Sequence, residues 1–186
     1  MGLHVWRSWL SLSVLSVLLF PCAIAQKSDE SAVKEFHDRI DNYISAKKKQ
    51  DIAEKPTDSP GKLAQEKQQI AEKTKEARPE AQQGDIFTPV VTAYFKQQIE
   101  GILRGPNGAK VRASLRHAEP LPNVQLQVNA KYPSNLPLQS TPPTLLMNLP
   151  PLPKELQYRI VGSTLVLYDM SSGLVVDFIP GAVPAA

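Results

Sequence analysis

The sequence predicts an α+β protein in which an N-terminal amphipathic helical hairpin precedes a central helix packed on a small antiparallel sheet that ends in a three-stranded meander. Three observations predict it. Apolar residues recur at steps of three and four through the first hundred residues, the charges crowd into the front half, and three short β-rich runs close the chain.

Residues Met1 to Arg7 contain no acid and run into an apolar stretch from Trp9 to Phe20. A basic start followed by a short apolar run is a secretory leader, and the run falls short of the roughly 20 residues a bilayer-spanning helix needs. Ala23 and Ala25 flank Ile24 in the small-residue pattern that signal peptidase reads, so residues 1–25 are expected to be the signal peptide and Gln26 the first mature residue. Cys22 leaves a second reading open, in which it is the lipid-carrying first residue of a lipoprotein. Bulky Phe20 and rigid Pro21 suit that processing poorly. If the cut follows Ala25, the mature protein of about 160 residues has neither cysteine nor tryptophan and no anchor, and its core must hold without a disulfide in a periplasmic or secreted setting.

The whole chain carries 21 Lys and Arg against 18 Asp and Glu, and Arg7 is the only one of these in the leader. The mature net charge of about +2 is too small to argue for nucleic acid or anionic lipid. Residues 26–84 hold 12 basic and 12 acidic side chains, whereas residues 85–186 hold 8 and 6. Two differently built regions follow from that: a charged helical hairpin over 26–84 and an α+β domain over 85–186.

In the hairpin, Val33, Phe36, Ile40, Tyr43 and Ile44 form one stripe of a helix from about Ser31 to Glu54. Pro56 to Gly61 break it, Ser59 and Pro60 offer a cap and a first-turn proline, and a second helix runs to about Ala77 with a thin stripe of Leu63, Ile70 and Ala77. So narrow a stripe buries little, which makes the hairpin marginal unless it packs on the second region or on a partner. Thr88 and Pro89 repeat the start signal for the most apolar helix, with Val91, Phe95, Ile99, Ile102 and Leu103, and Gly105 and Pro106 stop it. Val111, Ala113 and Leu115 alternate weakly. Val124, Leu126, Val128 and Ala130 alternate clearly, predicting a strand with one buried face.

Between residues 133 and 153, prolines at 133, 137, 142, 143, 150, 151 and 153 remove backbone donors, so a regular ladder is not expected there. The Pro-rich segment should be extended, with one helical turn at Thr144 to Asn148. Gln157 to Val161, Thr164 to Asp169 and Leu174 to Ile179 then read as the meander, joined by Gly162-Ser163 and by Met170 to Gly173.

No catalytic signature is present, which favours a protein that is not an enzyme. Ser171-Ser172-Gly173 lacks the glycine two residues before the serine that a nucleophile elbow needs and reads as a hairpin turn. Gly105 to Gly108 is too sparse for a phosphate loop and reads as a helix stop and turn. After leader removal only His37 and His117 remain, with Asp38, Asp41 or Glu119 as possible co-ligands, short of the converging set a transition metal needs. Asp169 and Asp177 fall near the ends of adjacent strands, where an acid and base pair is one reading and turn-bonding aspartates the ordinary one. Lys47, Lys48 and Lys49 form the only basic run and read as a solvated helix face. Pro150-Pro151-Leu152-Pro153 is either a polyproline ligand or a stiff connector laid across the sheet.

As a set, Gln83-Gly84-Asp85-Ile86-Phe87-Thr88-Pro89, Arg104-Gly105-Pro106-Asn107-Gly108, Val128-Asn129-Ala130-Lys131-Tyr132-Pro133, Leu156 to Gly162, Leu165 to Asp169 and Val175 to Ile179 resemble a family of exported bacterial proteins of unknown function. The resemblance implies an envelope protein and transfers no catalytic residue. More loosely, the closing pattern is similar to small C-terminal units of periplasmic proteins, some linked to nickel and cobalt homeostasis; this chain is too poor in histidine for the metal role to carry over. The expectation is therefore an exported, non-enzymatic envelope protein that contacts another envelope protein through the hairpin or the Pro-rich segment, with no cofactor and no assigned catalytic or metal residue. The alternatives are a metal-handling periplasmic protein and a hydrolase built on Asp169, Asp177 or His117.

Overall fold

The computed structural model describes residues 22–49, 59–116 and 124–184, with the backbone alone for Cys22 to Gln26. The leader up to Pro21, the expected helix end at Glu54, the break at Pro56, His117 and Glu119 lie outside the described residues.

Helix α1 spans Cys22–Lys49, beginning earlier than its stripe predicts. Its buried positions are Ala32, Phe36, Ile40, Tyr43 and Lys47, spaced four, four, three and four apart, so they line a single face. Helix α2, Pro60–Glu76, starts at the expected proline and buries Ile70, Ala71 and Thr74, while Leu63 stays exposed. Helix α3, Pro89–Arg104, follows from its punctuation: the Thr88 hydroxyl accepts from Val91 N–H at 3.4 Å, Pro89 fills the first turn, and Gly105 ends it. Val91, Phe95, Ile99 and Leu103 are its buried face. Helix α1 lies against α3, so its stripe is spent on the core of the α+β region.

The weak alternation at 111–115 proves to be helical. Helix α4, Gly108–Arg116, buries Val111 and Leu115, whose spacing of four fits a helix face as well as a strand. The chain turns into it so tightly that a Cβ on Gly108 would sit 1.9 Å from the Leu103 carbonyl oxygen, a place only glycine can occupy.

The sheet has four antiparallel strands in the order β1-β2-β3-β4: Gln139–Ser140, Leu156–Val161, Thr164–Asp169 and Leu174–Ile179. The last three are the predicted meander. The fourth is not the strand expected near Val124. Residues 124–128 keep the predicted alternation of half-buried and exposed side chains, and Val124 and Leu126 lie over the second face of the sheet. Only the end of the segment reaches the edge of β4, where Asn129 N–H donates to the Val175 carbonyl at 2.9 Å and Val175 N–H to the Ala130 carbonyl at 3.0 Å. Asn129, at φ 61°, breaks the extended path, and a single bridge from Lys131 to Leu174, with Tyr132 N–H donating to the Gly173 carbonyl at 3.1 Å, follows before Pro133. The short strand β1 arises inside the Pro-rich segment, at one of its proline-free stretches, contrary to the expectation of no ladder there. Helix α5, Pro143–Leu146, supplies the helical turn expected nearby.

One face of the sheet packs on α1, α3, α4 and α5 through a cluster that includes Phe36, Phe87, Phe95 and Tyr158. The Phe36 and Phe95 rings meet edge-on with centroids 5.0 Å apart, and Phe87 and Phe95 do so at 5.2 Å. The other face is covered by Val124, Leu126, Tyr132, Leu136 and Leu138. A register shift at Leu167/Tyr168 bulges β4, so that Val176 joins the helix-side core while its neighbour Asp177 stands opposite Leu167 of the same core.

Candidate functional site

Both carboxylates considered for acid and base chemistry are fully buried. Asp169 Oδ2 accepts from the Tyr43 hydroxyl and from Lys47 Nζ, each at 2.5 Å. Its Oδ1 accepts from Ser171 N–H at 2.9 Å and from the Ser171 hydroxyl at 2.7 Å, within the turn that joins β3 to β4. Burial alone would raise the Asp169 pKa, but the Lys47 charge and the bonds from Lys47, Tyr43 and Ser171 outweigh it and hold the carboxyl below its usual value. The Tyr43 phenol is pushed far up, first by burial and then by the adjacent Asp169.

Lys47 corrects the expectation of a solvated basic face, because it is 5% exposed and ion-paired with Asp169. Lys48 and Lys49 are exposed as expected. Lys47 Nζ also lies 2.7 Å from Ser171 Oγ, a distance suited to a nucleophile and its base. Two features oppose that chemistry. Lys47 is ion-paired with the Asp169 carboxylate and donates to Oγ instead of accepting from it, and the serine proton already goes to Asp169.

Asp177 is satisfied by backbone alone. It accepts from Gly84 N–H at 3.0 Å, Ile86 at 2.9 Å, Phe87 at 2.8 Å and Phe178 at 2.8 Å. The Gly84 backbone, at φ 94°, turns the loop so that these amides converge, and Asp177 thereby ties the lead-in of α3 to the sheet. The two aspartates therefore have separate partners, and no described cavity is lined by either.

The remaining candidates are dispersed. His37 packs edge-on to Phe36 on α1, Asp38 pairs with Lys34 at 2.6 Å, and Asp41 is exposed. Among the described residues no group of three or more His, Cys, Asp or Glu side chains is placed to hold a metal ion. Ser171 and Ser172 make the turn that their sequence predicts, its Gly173 N–H bonding the Asp169 carbonyl at 2.8 Å.

Two cavities carry polar atoms that lack partners. One, of about 270 Å³, lies between α1 and residues 78–86; there the Arg78 guanidinium sits 5.0 Å over the Tyr43 ring and 3.6 Å from Asp85, with a buried Nη1 left unbonded. The other, of about 330 Å³, is a groove at the β1–β2 edge of the sheet, walled by Leu146, Pro151 and Leu152 of the Pro-rich segment. It is lined also by Thr141, Tyr158 and Arg159, and both the Thr141 hydroxyl and Arg159 Nε are buried there without a partner. Nothing local in the sequence marks Thr141 or Arg159, since the groove exists only once the Pro-rich segment folds back beside β2.

Among the described residues, no helix is long and apolar enough to cross a membrane. Comparison with protein-family models, with curated proteins and with solved structures found no match to this chain.

Proposed function

We propose that this is an exported, non-enzymatic envelope protein that binds another protein through the groove formed by its Pro-rich segment and the edge of β2. The observation that carries the reading is the contrast in hydrogen bonding. The reactive groups Asp169, Asp177, Lys47 and Ser171 are consumed by the fold, while Thr141 and Arg159 keep spare polar atoms in an apolar groove. The stripe of α1 is occupied by α3, which favours the Pro-rich segment over the helical hairpin as contact surface. Export rests on the leader, its apolar run and the Ala23-Ile24-Ala25 pattern.

The binding reading is tested by placing a photo-crosslinking amino acid at Leu152 in the groove and, as a control, at exposed Leu63 on α2 in living cells. A discrete crosslinked species is expected from position 152 alone; equal background at both positions overturns it. Mass spectrometry of the native product tests export, with a mature chain beginning at Gln26 expected. Retention of Met1, or a lipid on Cys22, would overturn the processing scheme.

A further inference from the structure

Strand β2 is paired along all six residues with β3 but along only Arg159 and Ile160 with β1. The two-residue turn at Gly162-Ser163 makes Val161 and Thr164 a hydrogen-bonded pair, so Val161, Arg159 and Gln157 direct their backbone groups to β3. Ile160, Tyr158 and Leu156 direct theirs to the opposite edge, where the Leu156 N–H is already taken by the Pro153 carbonyl at 3.0 Å. Gln139 meets Ile160 there, and continuing the register would set Thr141 opposite Tyr158. The ladder stops instead, because Pro142 and Pro143 follow and lead into α5.

The groove opens at the place where β1 ends. Tyr158 anchors its floor, donating its hydroxyl to the Pro150 carbonyl at 2.9 Å. Residues from both faces of β2, Leu156 and Tyr158 on one and Gln157 and Arg159 on the other, line it, as expected of a cavity centred on a strand edge. Arg159 is the only charged residue in the lining. Its guanidinium bonds the neutral oxygens of Ser140 and Gln157, belongs to none of the ion pairs among the described residues, and keeps Nε buried without a partner. Thr141 is 3% exposed and its hydroxyl is equally unused.

We propose that the groove is a strand-addition site for an extended, acidic peptide segment of the partner protein. The segment runs along the open edge of β2 in the line that β1 abandons, bonds the Tyr158 backbone, and sets an apolar side chain between Leu146 and Leu152. Its carboxylate pairs with Arg159, and the Thr141 hydroxyl bonds the peptide. The carboxylate comes from a chain terminus or from an Asp or Glu side chain. This rests on the groove being the contact surface proposed above; the peptide mode and the charge are the added content.

The probes are three sets of seven-residue peptides alternating Val or Leu with Thr, titrated onto the purified protein: one with a free C-terminus, one amidated with a central Glu, and one amidated and neutral. At least one carboxylate set is expected to bind on the order of tenfold or more tighter than the neutral set, and Arg159→Gln to remove the difference. Which set wins identifies the carboxylate source. N-methylation of the peptide amides facing β2 should abolish binding while methylation of the intervening amides should not, and the Tyr158 amide should gain protection from hydrogen exchange. Binding insensitive to Arg159→Gln or to the pattern of methylation overturns the proposal, as does no binding by any set. Crosslinking at Leu152 alongside silent peptides would keep the groove as a contact surface and remove strand addition, whereas silence in both removes both.

Discussion

On the helix side of the sheet, Asp169 and Asp177 are fully buried, and both oxygens of each carboxylate are bonded. At the β1–β2 edge, Thr141 and Arg159 also carry buried polar atoms, yet two of those atoms are left over. The difference separates groups whose bonding is used up by the fold from groups with bonding capacity to spare. A buried polar group loses its water, and if it regains equivalent bonds within the chain it becomes a structural tie; if it does not, it remains a standing cost that a ligand could relieve.

Asp177→Ala tests this contrast most severely. Removing the carboxylate leaves the amides of Gly84, Ile86 and Phe87 without their acceptor in a buried loop, for a loss on the order of 4 kcal/mol in chemical denaturation. A loss below about 1 kcal/mol would mean that the loop finds other acceptors and that Asp177 is no tie.

Lys47→Met strands Asp169 and should cost about 3 kcal/mol near neutral pH. Its pH dependence gives a sharper reading. In the native protein the Asp169 carboxyl is held below its ordinary 3.8, so its stabilising contribution is present above that value and is lost as pH falls through the native pKa. Without Lys47, burial opposes only the bonds from Tyr43 and Ser171, so this contribution should flatten or reverse. Denaturation midpoints between pH 7 and 3 would show it, and an unchanged acid limb would assign the acid sensitivity elsewhere.

Arg159→Gln should change stability by less than about 1 kcal/mol, since a partly satisfied edge residue supports little of the fold. A large loss would make Arg159 a tie like Asp169. Thr141→Val should produce the smallest change, a gain of up to about 1 kcal/mol in thermal or chemical melting, because it removes an unbonded hydroxyl at constant shape. A loss instead would show that the hydroxyl is already bonded, through water for instance.

The parts of the fold that could be read from the sequence were those with local signals. Thr88-Pro89 and Gly105-Pro106 bracket α3, and glycines at 162 and 173 separate the β-rich runs of the meander. Helix α4 was obscured because Val111 and Leu115 suit either period, and β1 because neighbouring prolines mask a two-residue strand. The alternation at 124–128 was real but reported a covering segment, since burial of one face does not require a ladder. Lys47 did have a signal, namely that it continues the stripe of Tyr43 by four residues. The remaining site geometry had none: three of the four amides that bond Asp177 lie about 90 positions away in the chain, and the groove forms only when the chain between Ser140 and Arg159 folds back on itself.

The Lys47–Asp169 tie spans 122 positions, joining the first described helix to the end of the penultimate strand. A ribosome works from one end only, so α1 emerges long before the carboxylate that neutralises its lysine. Through most of synthesis Phe36, Ile40 and Tyr43 have no strands to rest on, and the nascent polypeptide stays open to whatever escorts it until its last thirty residues arrive.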